Sequence, residues 1–266
     1  MIFSPIRRLV WLVYLWAFFG FILAPIVIVI VVAFQEHGYV GFPIQGFSLK
    51  WFQKAGSYKP FTDSLLISIE IAAISTLLAL LLGTPAALAL ARRESRWASA
   101  LVTVFLSPLL VPLIVVGFAL LFFLSRFGLG TSFIGLLIAH SLVGLPYVIR
   151  TVIAVYRTLG REMEEASQIL GATRWQTMRY VTLPLIRPAL LGGGMLAFLI
   201  SIDNLPVSYF FSGVSTATLP VVMLSYIESS FDPSIAALSV IQLLIALVGL
   251  LLIDRIWGVK MLSKTI

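Results

Sequence analysis

The sequence predicts an all-α, polytopic membrane protein with six transmembrane helices. Three observations predict it. Apolar residues make up 60% of the 266-residue chain and charged residues only 11%, with a mean hydropathy of +1.07. Soluble domains hold about 45–50% apolar and about 25% charged residues. A chain this short cannot bury such an excess, whereas a bilayer supplies an apolar solvent for it. The apolar residues also gather into six runs, each meeting the roughly 20 residues that one crossing takes. Finally, the basic residues fall on one side of those runs, as they do around membrane spans.

The first run extends from about Leu9 to Phe34. Arg7 and Arg8 precede it in the manner of a secretory leader, but it outruns a leader's apolar core of about 7–15 residues and lacks a clean small-x-small site. It reads as an uncleaved span. The connection 35–63 holds Trp51, Phe52, Tyr58, Pro60 and Phe61, and is expected to carry a short amphipathic helix at the membrane surface or to meet an external partner. The second span runs from Ser64 to Ala91, the third from about Ser99 to Leu124 and the fourth from Thr131 to about Tyr156. His140 lies within the fourth and is expected to hydrogen-bond between helices. The fifth span runs from Ala189 to about Gly213 and begins with Gly192, Gly193 and Gly194, which favour close helix packing. The sixth runs from about Ile235 to Trp257. Residues 1–266 therefore form a single transmembrane domain.

Lys and Arg orient the spans. With the N-terminus inside, the inner side holds Arg7, Arg8, Arg92, Arg93, Arg96, Arg157, Arg161, Arg174, Arg179, Arg187, Arg255, Lys260 and Lys264, and Arg150 lies in the inner half of the fourth span. The outer side holds Lys50, Lys54, Lys59 and Arg126, so the 18 basic residues divide fourteen to four. Both termini are thereby placed in the cytoplasm. The net charge of +7 is a topology signal with anionic lipid headgroups as its partners, not a nucleic-acid footprint. No cysteine is present, which excludes disulfides and thiolate metal sites, and two histidines give no basis for a metal centre.

The longest inner connection, 157–188, carries the most information. Glu162, Glu164 and Glu165 precede a short apolar-periodic stretch with Ala166, Ile169 and Leu170, which Gly171 interrupts. Acidic residues favour a helix N-terminus, and glycine supplies the positive φ of a helix C-terminus. From Ala172 to about Val181 the sequence is again compatible with a helix. The spacing predicts two short helices joined at Gly171, with Pro184 and Pro188 breaking the second before the fifth span. Such a hairpin presents a compact knob to a soluble partner. Arg174 and Trp175 either touch that partner or brace the loop.

Glu165-Ala166-Ser167, then Gly171, then Val181-x-Leu183-Pro184 resembles the EAA loop of binding-protein-dependent, type I ABC-importer permeases. Ser167 stands where the family usually has a second Ala, and Val181 where it often has Ile. The second span is similar to the opening core span of these permeases. The run from His140 through Leu145-Pro146-Tyr147-Val148-Ile149-Arg150 to Pro188, and Ser201-Ile202-Asp203-Asn204, resemble the spermidine/putrescine branch, although Asn204 replaces a second acid. The resemblance covers about residues 60–255. It implies the MetI-like fold and a bacterial inner-membrane location. Residues 157–188 would form the coupling loop, in which Glu164, Glu165, Ala166, Ser167, Gly171, Ala172 and Arg174 meet an ATPase. The partners it implies are a second homologous permease subunit, two ATP-binding-cassette ATPase subunits and an extracytoplasmic solute-binding protein. ATP and magnesium would be held by the ATPase, with no cofactor in this chain.

Ionisable groups at membrane depth are costly and mark pathways or partnered sites. Glu70 lies about 9 Å into the second span from its outer end, and Asp203 about 21 Å up the fifth from the inner boundary, so in a core about 30 Å thick the two can share one layer. An anionic layer suits a cationic solute. Asn204 adds hydrogen-bonding capacity, Tyr209, Phe210 and Phe211 offer aromatic faces or packing, and Pro206 loosens the helix. Pairing of Glu70 with Arg126 is the structural alternative.

The chain has no phosphate-binding G-x-x-x-x-G-K-[ST] loop, no H-E-x-x-H and no G-x-S-x-G. If transport is ATP-driven, hydrolysis is expected on another chain. The expected function is that of a permease subunit for a small polar solute, foremost a polyamine. Opines, amino-acid derivatives and phosphonates are the alternatives within the same role. An ion-coupled secondary transporter using the intramembrane carboxylates is the alternative outside it, and an intramembrane enzyme is disfavoured by the missing motifs.

Overall fold

The computed structural model describes residues 5–38, 41, 46–230 and 232–257. Lys260 and Lys264, two of the charges assigned to the inner side, lie outside the described residues. The helices, in chain order, are α1 (Pro5–Ala33), α2 (Lys50–Ser57), α3 (Lys59–Ala91), α4 (Arg96–Leu106), α5 (Leu113–Ser125), α6 (Phe133–Thr158), α7 (Glu162–Ile169), α8 (Arg174–Thr177), α9 (Leu183–Ile202), α10 (Leu205–Phe211), α11 (Leu219–Ser229) and α12 (Ser234–Trp257).

Among the described residues five helical stretches are long and apolar enough to cross a membrane, and a sixth is present if the bent pair α4 and α5 counts as one span. That pair departs from the expected continuous third helix. Ser107–Leu109 forms a 3₁₀ turn and α4 and α5 meet at 102°. Pro108 and Pro112 account for it. Each lacks an N–H and each biases the residue before it away from helix, and Pro112 itself sits outside α5 at φ −53°, ψ 129°. The fifth span is also interrupted, at Asp203 and Asn204 between α9 and α10.

The opposite correction applies at Pro184 and Pro188. They do not break the chain before the fifth span, because Arg174–Ile202 is continuously helical. Residues 178–182 widen into a π turn in which the Leu183 N–H reaches the Met178 carbonyl. Pro184 then falls where the π turn returns to α-helix, and Pro188 lies inside α9, both as membrane helices tolerate.

The chain forms two compact units. One comprises the described residues of Met1–Thr62 and Met223–Leu247. Within it α1 is apolar on every side, with Trp16 and Phe21 exposed to the surroundings, as suits a helix bathed in lipid. The amphipathic helix expected in 35–63 is present as α2. It buries Trp51 and Ala55, and the Trp51 indole N–H donates to the Gln35 carbonyl at 2.6 Å. Lys54 pairs with Asp232 at 2.6 Å, and the Tyr226 hydroxyl donates to the same carboxylate at 2.7 Å.

The other unit comprises Asp63–Val222 and the described residues of Val248–Ile266. It packs α6 against α9 and α5 against α10. Water exclusion does not drive helices together in lipid, so small side chains that permit close approach matter most. A Cβ on Gly193 would lie 3.1 Å from the Val148 Cα, and one on Gly194 would lie 3.2 Å from Leu80. Gly192 is less constrained, its nearest neighbour being Thr151 at 3.9 Å. Two apolar clusters result. One joins Ala79 and Ala87 of α3, Val148 and Val152 of α6, and Ile186 and Ala197 of α9. The other joins Ile71, Leu136, Val143, Val207 and Phe211.

Candidate functional site

The hairpin predicted in 157–188 forms as α7 and α8, joined at Gly171. Gly171 has φ +87°, and the Ala172 N–H bonds the Ser167 carbonyl at 3.0 Å while the Gly171 N–H bonds that of Gln168 at 2.9 Å. This is the double carbonyl closure of a helix C-terminus that needs a left-handed residue. The next helix starts on a capping box. The Thr173 hydroxyl accepts from the Gln176 N–H at 3.3 Å, and the Gln176 side chain accepts from the Thr173 N–H at 2.7 Å.

Glu164 and Glu165 point to different surroundings. The Glu164 side chain, 15% exposed, forms an ion pair with Arg92 at the end of α3. It also accepts from the Tyr156 hydroxyl of α6 at 3.0 Å and from the Thr182 hydroxyl at 2.7 Å. Burial alone would raise its pKa. The hydrogen bonds from Thr182, Arg92 and Tyr156 outweigh that and hold the carboxyl below its ordinary value. The Arg92 guanidinium lies 4.0 Å from the centre of the Tyr156 ring and also donates to the Leu159 carbonyl at 3.3 Å. Arg157 donates to the Ala91 carbonyl at 2.9 Å. Ser167 donates to the Glu164 carbonyl at 2.8 Å and pairs with the Thr177 hydroxyl at 2.8 Å, tying α7 to α8. The hairpin is thus pinned to the ends of α3 and α6.

Its other face is bare. Glu165, Ala166, Gly171 and Arg174 are exposed, and Ala172 is half-buried. Ile169 is 85% exposed, Leu170 87% and Trp175 68%, so Trp175 does not brace the loop. The bracing residues are Arg92, Tyr156, Thr177 and Thr182. Arg92 and Tyr156 end two spans, where residues of these types are ordinary, and no sequence signal distinguished them.

The second candidate region is the break between α9 and α10. Asp203 is exposed there, and Asn204 is 3% exposed. The Asn204 carbonyl oxygen Oδ1 accepts from the Val207 N–H at 3.1 Å, capping α10, while its Nδ2 has no partner among the described residues. Tyr209 is 58% exposed. Phe210 instead packs its ring 5.8 Å from that of Phe118 and against Gly117, and Phe211 is fully buried. The structure therefore places Asp203 and Asn204 at the break, leaves Tyr209 exposed on α10 and turns Phe210 and Phe211 to packing. Glu70 is exposed on α3 and forms no ion pair among the described residues, whereas Arg126 lies 5.4 Å over the Phe122 ring. The alternative pairing of Glu70 with Arg126 is not formed. His140 does bond between helices, to Ser201 and Ser208. Among the described residues no group of His, Cys, Asp and Glu side chains is placed to hold a metal ion.

The spermidine/putrescine transport system permease protein PotC of Haemophilus influenzae is 30% identical over 88% of this chain and 91% of its own length. The molybdenum transport system permease protein ModB of Mycobacterium bovis is 35% identical over 69% of this chain and 75% of its own. In fold, the chain is similar to a subunit of a bacterial alginate ABC transporter solved in complex with an alginate pentasaccharide-bound periplasmic protein. That match has a TM-score of 0.65 at 20% identity, covering 92% of this chain and 94% of the other. Residues 79–258 match the family described as the binding-protein-dependent transport system inner membrane component. With that match over about two thirds of the chain and relatives about 30% identical over most of it, the chain belongs to this family of type I ABC-importer permeases.

Proposed function

We propose that this multi-pass membrane protein forms half of the translocation pathway of a polyamine importer and couples it to a separate ATPase through residues 157–188. The observation that carries the coupling reading is the two-sidedness of the α7–α8 hairpin. Its inner face is locked to the ends of α3 and α6 through Glu164, with Ser167 tying α7 to α8, and its outer face displays Ile169, Leu170 and Trp175 beside Glu165 and Arg174. Exposed apolar side chains rimmed by charges mark a protein-docking surface. A load on that face reaches both spans through the Glu164 clasp.

In this reading the N-terminus and the hairpin lie in the cytoplasm, as the fourteen-to-four division of basic residues favours. Two ATPase subunits, which hold ATP and magnesium, dock on this hairpin and on that of a second permease subunit. A solute-binding protein delivers cargo from outside, in keeping with the periplasmic protein bound to the alginate transporter. Residues 1–266 act as one permease domain.

The polyamine assignment is supported by the similarity to PotC and by the anionic, partly aromatic surroundings of the α9–α10 break. Asp203 supplies negative charge, Tyr209 a ring for cation–π contact and Asn204 a hydrogen-bond donor, with Glu70 the further carboxylate on α3. The similarity to ModB favours a second reading, the same permease role for a different small solute.

Uptake of labelled spermidine and putrescine by the complete transporter in proteoliposomes tests both. Under the polyamine reading, ATP-dependent uptake occurs and Asp203→Asn lowers it by about tenfold, on the order of 1.4 kcal/mol, while the amount of assembled complex is unchanged. Normal uptake by the variant removes Asp203 from the pathway. Absence of polyamine uptake, with other solutes carried, leaves the permease role and removes the substrate.

A further inference from the structure

The interruption between α9 and α10 creates a mechanical problem. Pro206 has no N–H to give the Ile202 carbonyl, and Asn204, at φ −81°, ψ 81°, is outside helical geometry. A seven-residue helix such as α10 has little intrinsic stability, so its direction relative to α9 has to be set from outside. His140 of α6 reaches both halves. Its Nδ1 lies 2.8 Å from the Ser201 hydroxyl, in the last turn of α9, and its Nε2 lies 3.0 Å from the Ser208 hydroxyl of α10. The ring is 1% exposed, and Ser201 and Ser208 are buried with it.

The donors and acceptors around the ring fix a direction. Ser75 of α3 gives its hydroxyl proton to the Ala72 carbonyl, 3.3 Å away. Its oxygen lies 3.2 Å from that of Ser201, so with the Ser75 proton on the Ala72 carbonyl it accepts there and Ser201 donates. Ser201 has then spent its proton and accepts from His140, which places a proton on Nδ1. A charged imidazolium at this depth carries a large desolvation cost and has no carboxylate bonded to it, so Nε2 is bare and accepts from Ser208.

We propose that His140 is the positioning residue of the interrupted span. It is held as the neutral Nδ1-protonated tautomer by a one-way hydrogen-bond chain from Ser208 through His140, Ser201 and Ser75 to the Ala72 carbonyl. The chain links α10, α6, α9 and α3 in one unit and fixes the angle at which Asp203 and Asn204 are presented. Only that last consequence rests on the pathway reading; the clasp itself does not.

The test has two arms. The chain has two histidines, so a His37→Gln variant of the full chain, labelled with ¹⁵N-histidine in lipid bilayers, reports His140 alone. The expected spectrum at pH 7 shows a protonated Nδ1 and a bare Nε2. Ser208→Ala then shifts Nε2 and leaves Nδ1 in place, and a volume-conserving change of this kind keeps the fold. An Nε2-protonated ring, an imidazolium, or a spectrum unmoved by Ser208→Ala overturns the clasp. In the complete transporter, Ser208→Ala and His140→Asn each raise the KM for uptake about threefold or more at unchanged complex abundance. His140→Asn keeps a polar group near the Nδ1 position and loses the reach to Ser208. Unchanged kinetics in both variants overturns the positioning role. The pathway reading fails separately, through normal uptake by Asp203→Asn, and leaves the spectra as predicted.

Discussion

Glu164 and Glu165 are adjacent and chemically identical, yet one is bound into the protein and the other is presented outward. Helical geometry separates them by about 100°, which puts Glu164 over Arg92, Tyr156 and Thr182 and Glu165 in the open. The sequence marked both as one acidic helix start and contained no signal to divide them, because the dividing residues come from three separate segments, 8, 18 and 72 residues away. Removing one partner of such a part-buried pair leaves Arg92 without its carboxylate. Glu164→Ala is therefore expected to loosen α7 from the spans, on the order of 1–3 kcal/mol of local stability. Trypsin would then cut at Arg161 and Arg174 several-fold faster than in the wild type, whereas Glu165→Ala would leave the rate unchanged. Equal rates in all three proteins would contradict the clasp. Asp232, which lies just before α12 and pairs with Lys54 of α2, offers a test by pH. Burial raises its pKa, but hydrogen bonds from Lys54, Ser234 and Tyr226 outweigh burial and bring it to about 2 from an ordinary 3.8. A depressed carboxyl contributes stability above its unfolded pKa and loses it as the pH falls through the folded one. The wild type should therefore exceed Asp232→Asn in thermal stability at pH above about 4. The gap, on the order of 1 kcal/mol because Lys54 is 45% exposed, should close between pH 3.8 and about 2. A gap that persists at pH 2 would reject the ion pair as its source.

Elements were legible where one local signal dominated. The long apolar runs became α1, α3, α6 and α12 nearly as read, and Gly171 closed α7 as its position implied. Prolines were the source of error, in both directions. Pro108 and Pro112 bend the third span at a 3₁₀ turn, whereas Pro184 and Pro188, at the same spacing, follow the π turn at 178–182, which shifts the ladder by one residue, and stay within a continuous helix. Whether a proline breaks a membrane helix depends on what its neighbours satisfy, and those neighbours are distant in sequence. Gly171 gives the sharpest element-scale prediction. A Cβ there would meet nothing within 4 Å, so any penalty comes from the backbone at φ +87°. Gly171→Ala should cost about 1 kcal/mol of hairpin stability, and Gly171→Asn less, since asparagine tolerates that conformation. Trypsin accessibility of Arg174 reads both. Equal cutting of the alanine and asparagine variants would show that the turn does not depend on the left-handed residue.

At the scale of the molecule, the composition, the six apolar runs and the loop spacing were enough to read a permease, and the family match over residues 79–258 bears that out. The region at Asp203 was only partly readable. Its carboxylate and Asn204 stand at a break that Pro206 announced, but Phe210 and Phe211 pack inward, and the clasp by His140 depends on serines from three helices. Cargo is less legible still, since relatives of similar identity are permeases of spermidine/putrescine and of molybdenum systems. The central claim is that the bare face of the α7–α8 hairpin docks an ATPase. The chain contains no cysteine, so a single Ile169→Cys, in a side chain 85% exposed, provides a unique reactive point. Cross-linking from that thiol in native membranes is predicted to yield one adduct whose partner is identified by mass spectrometry as an ATP-binding-cassette subunit, and a thiol placed at Phe122 is predicted to yield none. An Ile169→Cys chain that assembles and transports normally, yet forms no such adduct, would contradict the account.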